Sequence, residues 1–425
     1  MDFFPESFGG FTIFIYICTQ IFNDYYPISM KRIVFLCVIL FFPLFIAAQT
    51  VEEYFQKGTD YYQGKNGVQQ DYAKAEEFFI KAAELGDSVA QSNLGIMYMM
   101  GNGVSRDYSK AVKWLQKAAA QGILKAMVNL GWLYEKGYGV TKDITKAVEL
   151  YQKAADKGDA GAQFNLGIMY KNGDAIQQDY AKAAEFFEKA AEQGHVKAQY
   201  DLGNLYFWGQ GFDIDYSEAY EWYIRAANNG HAGAQTNLAW LYERGKGVPQ
   251  DYRKAIDWYE KAANQGDDTA QCNLGILYKD GEGVDKDYIM AAGWFQKAAD
   301  QGNAKAQSYL GWLYDCGRGV EKDFTKAAIW YEKAAKQGDT WAQYSIGTMY
   351  LNGEGVGQDY SAALKWLQKA ADKGHADAQT NIGWMYANGK GVERDWQRAI
   401  EWYEKAAAQG DETARSNLED LRRRM

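Results

Sequence analysis

Histidine, cysteine, proline and basic charge are all scarce in this chain, and each shortage removes a class of function. Three histidines are spread over 425 residues. They are His195, His231 and His375, and all three recur at the same point of a repeating unit, near the start of a helix. Neighbouring helix pairs stack about 10 Å apart. A zinc ligand lies about 2.0–2.1 Å from the metal, so His195 and His231 cannot share an ion without long rotamers and backbone shifts. No serine or cysteine has a periodic or paired histidine partner, so the nucleophile–base pair of covalent catalysis is not in evidence. The sequence predicts no catalytic residue, no metal site and no cofactor.

Of the four cysteines, Cys18 and Cys37 lie in an N-terminal apolar region and Cys272 and Cys316 in the repeats. The latter two occupy adjacent units at heights that differ by about 12 Å of helical rise. A disulfide needs Cα atoms within about 7 Å, so two free thiols are expected, even in an exported protein where bridges are permitted. Four prolines among abundant alanine suit a helical array. The net charge is −9, of which the repeats carry −8. The only basic run is Arg422, Arg423 and Arg424, placed to offset a helix C-terminal dipole. Nonspecific nucleic-acid binding needs clustered basic charge and is excluded as a partner class.

Glycine, by contrast, is plentiful and periodic. "GNGVSRDYSKAVKWLQKAAAQG" (Gly101 to Gly122) puts a glycine loop before a helix, the order of a phosphate cradle. It returns as "GYGVTKDITKAVELYQKAADKG" and again in later units. A nucleotide site is built once, whereas a motif at constant spacing is a building block. No lysine–serine pair follows the turn, and the helix start carries an acid that repels phosphate. A glycine closes each unit at Gly86, Gly122, Gly158, Gly194, Gly230, Gly266, Gly302, Gly338, Gly374 and Gly410, always 36 residues apart. Val51 to Gly410 is therefore ten units without insertion, and Asp411 to Met425 begins an eleventh. Positions are numbered within a unit, so Asp87 and Asp411 are both position 1.

Position 21 is Asp in all ten units, from Asp71 to Asp395, and reads as the N-cap of a second helix over positions 22 to 34. Ala at 25, 32 and 33 forms its apolar stripe with the position-28 residues Trp114, Trp222, Trp258, Trp294, Trp330, Trp366 and Trp402, which are expected to be core. The first helix, over positions 2 to 14, carries Ala at 4, Leu or Ile at 8, Leu or Met at 11 and Tyr at 12 on one face. Gly at position 9 costs about 1 kcal/mol relative to Ala, so its recurrence predicts a close helix approach there. Gln at 5 and Asn at 7 are expected to bond backbone or neighbouring helices.

The N-terminal region has a different character. "MKRIVFLCVILFFPLFIAAQT" begins at Met30 with Lys31 and Arg32, continues as an apolar run from Ile33 to Ile46, and ends in Ala47 and Ala48. Residues 30–48 have the anatomy of a bacterial-type signal peptide, and the run is short for a membrane span. The expected location is export, to the periplasm, cell surface or medium. Residues 1–29, with the second apolar run "FTIFIYICTQIF", read as a misassigned upstream extension. The rival is a two-segment membrane anchor, so a membrane is a partner only if this region is uncleaved.

Across residues 51–425 the pattern AxAQxNLGxMYxxGxGVxxDYxKAxxWYxKAAxQG resembles the Sel-1-like repeat, a relative of the tetratricopeptide repeat. The resemblance implies an all-α fold: a right-handed α-solenoid of ten 36-residue helix-turn-helix repeats, 51–410, with a C-terminal capping helix, 411–425. It also implies a non-enzymatic adaptor or scaffold binding a protein or peptide, often exported in bacteria. Some exported relatives carry a disulfide in each repeat and are linked to β-lactam-type molecules. This chain lacks those cysteines.

On a helical wheel, positions 4, 8, 11 and 12 of the first helix point near 65° and positions 3, 6, 10 and 13 near 260°, roughly opposite. The second set varies between units and is rich in aromatics. It holds Trp132, Trp240, Trp312 and Trp384 at position 10, Phe164, Tyr200 and Tyr344 at 6, Trp341 at 3 and Phe207 at 13, with Trp208 at 14 flanking the stripe. In the implied solenoid these residues line the concave surface, where exposed aromatics are candidate partner anchors. Two readings of position 10 stand together. Ile96, Ile168 and Ile276 favour packing between neighbouring first helices, while Asn204 and Thr348 favour an open groove. Three functions follow in order: an exported protein-binding scaffold, an exported small-molecule-binding or hydrolytic protein, and a membrane-tethered assembly adaptor.

Overall fold

Side chains of the repeat itself cap the starts of nearly all the helices, the one that follows Ile123 excepted. The computed structural model describes residues 50–174 and 176–425, and these form twenty-one helices and no strand. The expected signal segment and upstream extension lie outside the described residues. Two compact units divide the chain, one ending at Gln178 and one running from Asp179 to Met425. The first holds residues 50–63 (α1), Tyr72–Glu84 (α2), Ser88–Met100 (α3), Tyr108–Ala120 (α4), Leu124–Lys136 (α5), Ile144–Ala155 (α6) and Ala160–Asn172 (α7).

The second unit opens with Tyr180–Glu192 (α8), Val196–Trp208 (α9), Tyr216–Asn228 (α10), Ala232–Arg244 (α11), Tyr252–Asn264 (α12), Asp268–Asp280 (α13) and Tyr288–Asp300 (α14). It continues with Ala304–Cys316 (α15), Phe324–Lys336 (α16), Thr340–Asn352 (α17), Tyr360–Asp372 (α18), Ala376–Asn388 (α19), Trp396–Ala408 (α20) and Glu412–Arg424 (α21). Odd-numbered helices are the first of each repeat and even-numbered ones the second. The last, α21, covers the end of the array with Leu418 and Leu421 packed near Tyr403.

Every second helix starts at its position-21 aspartate. Asp323 Oδ1, for example, accepts from the Lys326 amide at 2.9 Å. That backbone bond, reinforced by Lys326, holds the Asp323 carboxyl below its ordinary range. Position 1 does the same for the first helices from α3 onward other than α5, where Ile123 offers no side-chain cap; Asp339, for example, accepts from the Ala342 amide at 2.7 Å. The three histidines serve there as caps too: His195 and His231 Nδ1 each accept from an amide at 3.2 Å and His375 Nδ1 at 3.4 Å. An imidazole can do this only through an unprotonated Nδ1.

The turns and repeat ends need glycine for two different reasons. Gly302, which closes its repeat, has φ +98° with open space around it, so the requirement is conformational. Gly319, the second glycine of its GxGV turn, has φ +71°, and a Cβ there would lie 2.1 Å from the Tyr288 carbonyl oxygen of the preceding repeat. Close approach between repeats is therefore built on that turn. The position-9 glycines of the first helices make the expected close approach, and the structure shows that it is to position 29: a Cβ on Gly311 would lie 2.8 Å from the Tyr331 ring.

The core lies one residue away from where the tryptophan pattern placed it. Position 29 is the fully buried site, occupied by Tyr151, Phe187, Tyr223, Tyr259, Phe295 and Tyr331 among others. Of the position-28 tryptophans only Trp222 and Trp366 are buried, and the other five are half-buried. In all seven repeats the cation three residues on lies over the indole, 3.6 to 4.4 Å from its centroid. A lysine or arginine at i+3 keeps its head in water while its stem covers the ring, so these tryptophans sit beneath their own cations at the border of the core.

Candidate functional site

The first helices of three consecutive repeats, α13, α15 and α17, enclose a pocket of about 300 Å³. Lys279 comes from the end of α13, and Lys305, Ser308, Tyr309 and Trp312 from α15. Asp339 and Trp341 come from the start of α17. Each ring is fixed from behind by another. Tyr309 stacks on Phe295 at 5.0 Å, Trp341 meets Tyr331 edge-on at 5.3 Å, and Trp312 leans on Tyr288 at 6.1 Å. The Arg318 guanidinium lies 5.2 Å from the Trp312 ring and Lys279 Nζ 5.3 Å from the Tyr309 ring.

Polar groups in this pocket are unequally satisfied. Asp339 caps α17 and also accepts from Ser308 Oγ at 3.0 Å. Lys279 Nζ pairs with Asp280 at 2.5 Å. Lys305 is exposed and has no ion-pair partner among the described residues. Burial pushes the Tyr309 phenol above its ordinary pKa, with Lys279 acting against it. The phenol stays neutral and serves as a ring and a hydrogen-bonding group, not an anion.

A second aromatic cluster sits on α9 and the turn after it. Trp208 is 65% exposed and meets Phe207 edge-on at 4.7 Å. Phe207 is buried, not groove-facing, and also carries Trp240 of the next repeat at 5.0 Å. The turn here reads "GQGFDID" in place of GxGV, and it leaves Phe212 and Ile214 exposed beside Trp208. Phe212 stacks on Tyr206 at 5.2 Å.

The sequence-derived candidates thus divide by what they touch. Trp312 and Trp341 share the pocket, and Trp208 and Trp240 share Phe207. Tyr200 and Tyr344 are half-buried and stack on the capping histidine of the following repeat, Tyr200 on His231 at 4.3 Å and Tyr344 on His375 at 4.5 Å. Trp384 is 38% exposed on α19. Trp132 and Phe164 belong to the first unit and are half-buried, Trp132 edge-on to Tyr138 at 5.4 Å. Position 10 is half-buried at Trp132, Trp240 and Trp312. Trp240 leans on Tyr216 and Trp312 on Tyr288, each of the preceding repeat, at 6.1 Å.

The pattern reading missed Tyr309, Lys305 and Lys279 in the pocket, and Phe212 and Ile214 beside Trp208. A signal existed for Tyr309, which stands where most repeats have asparagine, and for Phe212, which breaks the GxGV turn. The thiols do not add nucleophiles. Burial pushes Cys272 up to about 12, and it also raises the exposed Cys316, whose effect is deepened by Asp315. Among the described residues no group of three or more His, Cys, Asp or Glu could hold a metal ion, and no helix is long and apolar enough to cross a membrane.

Comparison with curated proteins gave no match. The chain is similar to a solved protective antigen of uropathogenic Escherichia coli displaying an SLR fold. That similarity is 33% identity over 88% of both chains, with a TM-score of 0.62. It is also similar to a Sel1 repeat protein from Oxalobacter formigenes, at 32% identity over 73% of this chain and 90% of that one, with a TM-score of 0.59. The Sel1 repeat model matches ten times in succession, the first at 58–87, the second at 88–123 and the last at 376–411. With paired helices, position-21 caps and double-glycine turns in the same register, the chain belongs to the Sel1 repeat family.

Proposed function

We propose that this Sel1 repeat protein is an exported, non-catalytic scaffold that binds a protein or peptide on the face formed by its first helices. The observation that carries the reading is the aromatic pocket of α13, α15 and α17, with Trp341 37% exposed at its edge. Aromatics held rigid yet partly open are the usual anchors of an interface, because little side-chain entropy is lost when a partner covers them. The second-helix face offers the opposite, with tryptophans already covered by their own lysines. Export rests on the charged, apolar and small-residue order of residues 30–48.

Affinity capture with paired variants tests this. Trp312→Ala with Trp384→Ala should abolish recovery of the partner that wild type retains, while Trp258→Ala should still recover it. Equal recovery by all three would remove the first-helix face as the binding surface. Sequencing the mature N-terminus tests export: a start near Gln49 is the expected result, and a start at Met1 or Met30 in an envelope-anchored product favours the tethered adaptor.

A further inference from the structure

We propose that the pocket between α13, α15 and α17 receives one large apolar side chain of an acidic peptide, with a flanking carboxylate held by Lys305. The inference rests on the scaffold reading and adds the chemistry of the partner. At about 300 Å³ the pocket is at the lower end of ligand-site volumes, the room for one side chain and not for a nucleotide-sized cofactor. Its walls are the faces and edges of Tyr309, Trp312 and Trp341. All three are already fixed by Phe295, Tyr288 and Tyr331 behind them. A pocket that is shaped before the ligand arrives loses little freedom on binding.

The sign of the partner follows from which charges at the mouth are spent. Asp339 is engaged by the Ala342 amide and by Ser308 Oγ, so it is the cap of α17 before it is a ligand group. Lys279 is tied to Asp280. Lys305 is left as the uncompensated charge, on the exposed first turn of α15. An unpaired cation beside an aromatic slot favours an acidic over a basic partner segment at this mouth.

Tryptophan fluorescence titration of the full chain tests the proposal with three capped tripeptides: Asp-Phe-Asp, Lys-Phe-Lys and Asp-Ala-Asp. Asp-Phe-Asp should bind at least about tenfold more tightly than either of the others. Lys305→Glu, an exposed change, should erase or invert the preference for acid over base. Trp341→Ala should weaken Asp-Phe-Asp binding, and Ile329→Ala on the second-helix face should leave it unchanged. Equal affinity for the acidic and basic peptides, no binding of any peptide, or indifference to Lys305→Glu overturns the inference. If the peptides fail while the double tryptophan variant still loses its captured partner, the pocket chemistry is wrong and the scaffold stands. If the peptides behave as expected and capture is unaffected, the pocket chemistry stands and the scaffold reading falls.

Discussion

Gln337 Nε2 donates to Gln307 Oε1 at 2.8 Å, and to the Gly302 carbonyl of the preceding repeat at 2.9 Å. Gln307 is buried and uses its own amide to donate to the Ala299 carbonyl at 3.1 Å. One exposed glutamine at position 35 thus completes the buried glutamine at position 5. The same pair recurs as Gln121–Gln91, Gln265–Gln235, Gln301–Gln271 and Gln409–Gln379. Two repeats keep the buried glutamine but not the outer one. Asn229 and Lys373 replace the outer glutamine, and there the buried oxygens Gln199 Oε1 and Gln343 Oε1 have no partner.

Lys373→Gln should therefore stabilise the protein. Lys373 Nζ already donates to the Gly338 carbonyl at 2.6 Å, a bond that glutamine makes equally well elsewhere. The new amide would add the bond to Gln343. Satisfying a buried acceptor is worth about 1 kcal/mol or more. Denaturant unfolding should show a higher midpoint for Lys373→Gln and a lower one for Gln337→Lys.

Tyr259 and Trp258 are neighbours with different fates. Tyr259 is fully buried and its hydroxyl donates to Glu243 Oε2 at 2.7 Å, whereas Trp258 is half-buried with Lys261 Nζ 3.6 Å from its ring centroid. Tyr259→Ala should cost about 3–5 kcal/mol, the range for large aromatic truncations. Trp258→Ala should cost clearly less. Chemical unfolding of both variants measures the difference.

The two glycine requirements separate by substitution. Gly302→Ala meets only its positive φ, a cost of about 1–2 kcal/mol. Gly319→Ala meets that cost and also a backbone oxygen 2.1 Å from the new Cβ, so its unfolding midpoint should fall further.

Acid should loosen the histidine caps. Burial lowers both His231 and His375 from the ordinary 6.5, opposed by Asp201 at His231 and Asp377 at His375, with Lys197 adding to the depression at His231. A depressed histidine pKa means that the unfolded chain takes up protons first. Their stabilisation is complete above about pH 6.5 and is lost as the pH falls through the folded values. Protonated Nδ1 becomes a donor facing the amide that it had accepted from, next to the positive end of a helix. Wild type should lose stability below this point, and the double variant His231→Asn, His375→Asn should lose less over the same range in pH-dependent thermal melts.

The repeat frame was legible because its markers answer to backbone needs. An aspartate that caps and a glycine at positive φ can hardly be replaced, so Asp323 and Gly302 announce themselves by period alone. The choice between positions 28 and 29 was not legible in that way. About 100° separates them on the helix wheel, and the angle at which one helix meets the next decides between Trp258 and Tyr259. Lys261, three residues after Trp258, was the available sign that this edge faces water. The pocket was half legible: Trp312 and Trp341 stood out as aromatics on a polar stripe. Lys305 and Tyr309 join them only through the juxtaposition of three successive first helices, a relation set by stacking between residues in different repeats.

Site-specific photo-crosslinking in the producing cell tests the central claim most directly. A benzophenone side chain replaces Cys316 or Asn388, each exposed one turn from Trp312 or Trp384, or replaces Trp258 or Ile329 on the second helices. The account predicts a discrete protein adduct from positions 316 and 388 and none from 258 and 329. Adducts from 258 or 329, with none from 316 and 388, would contradict it.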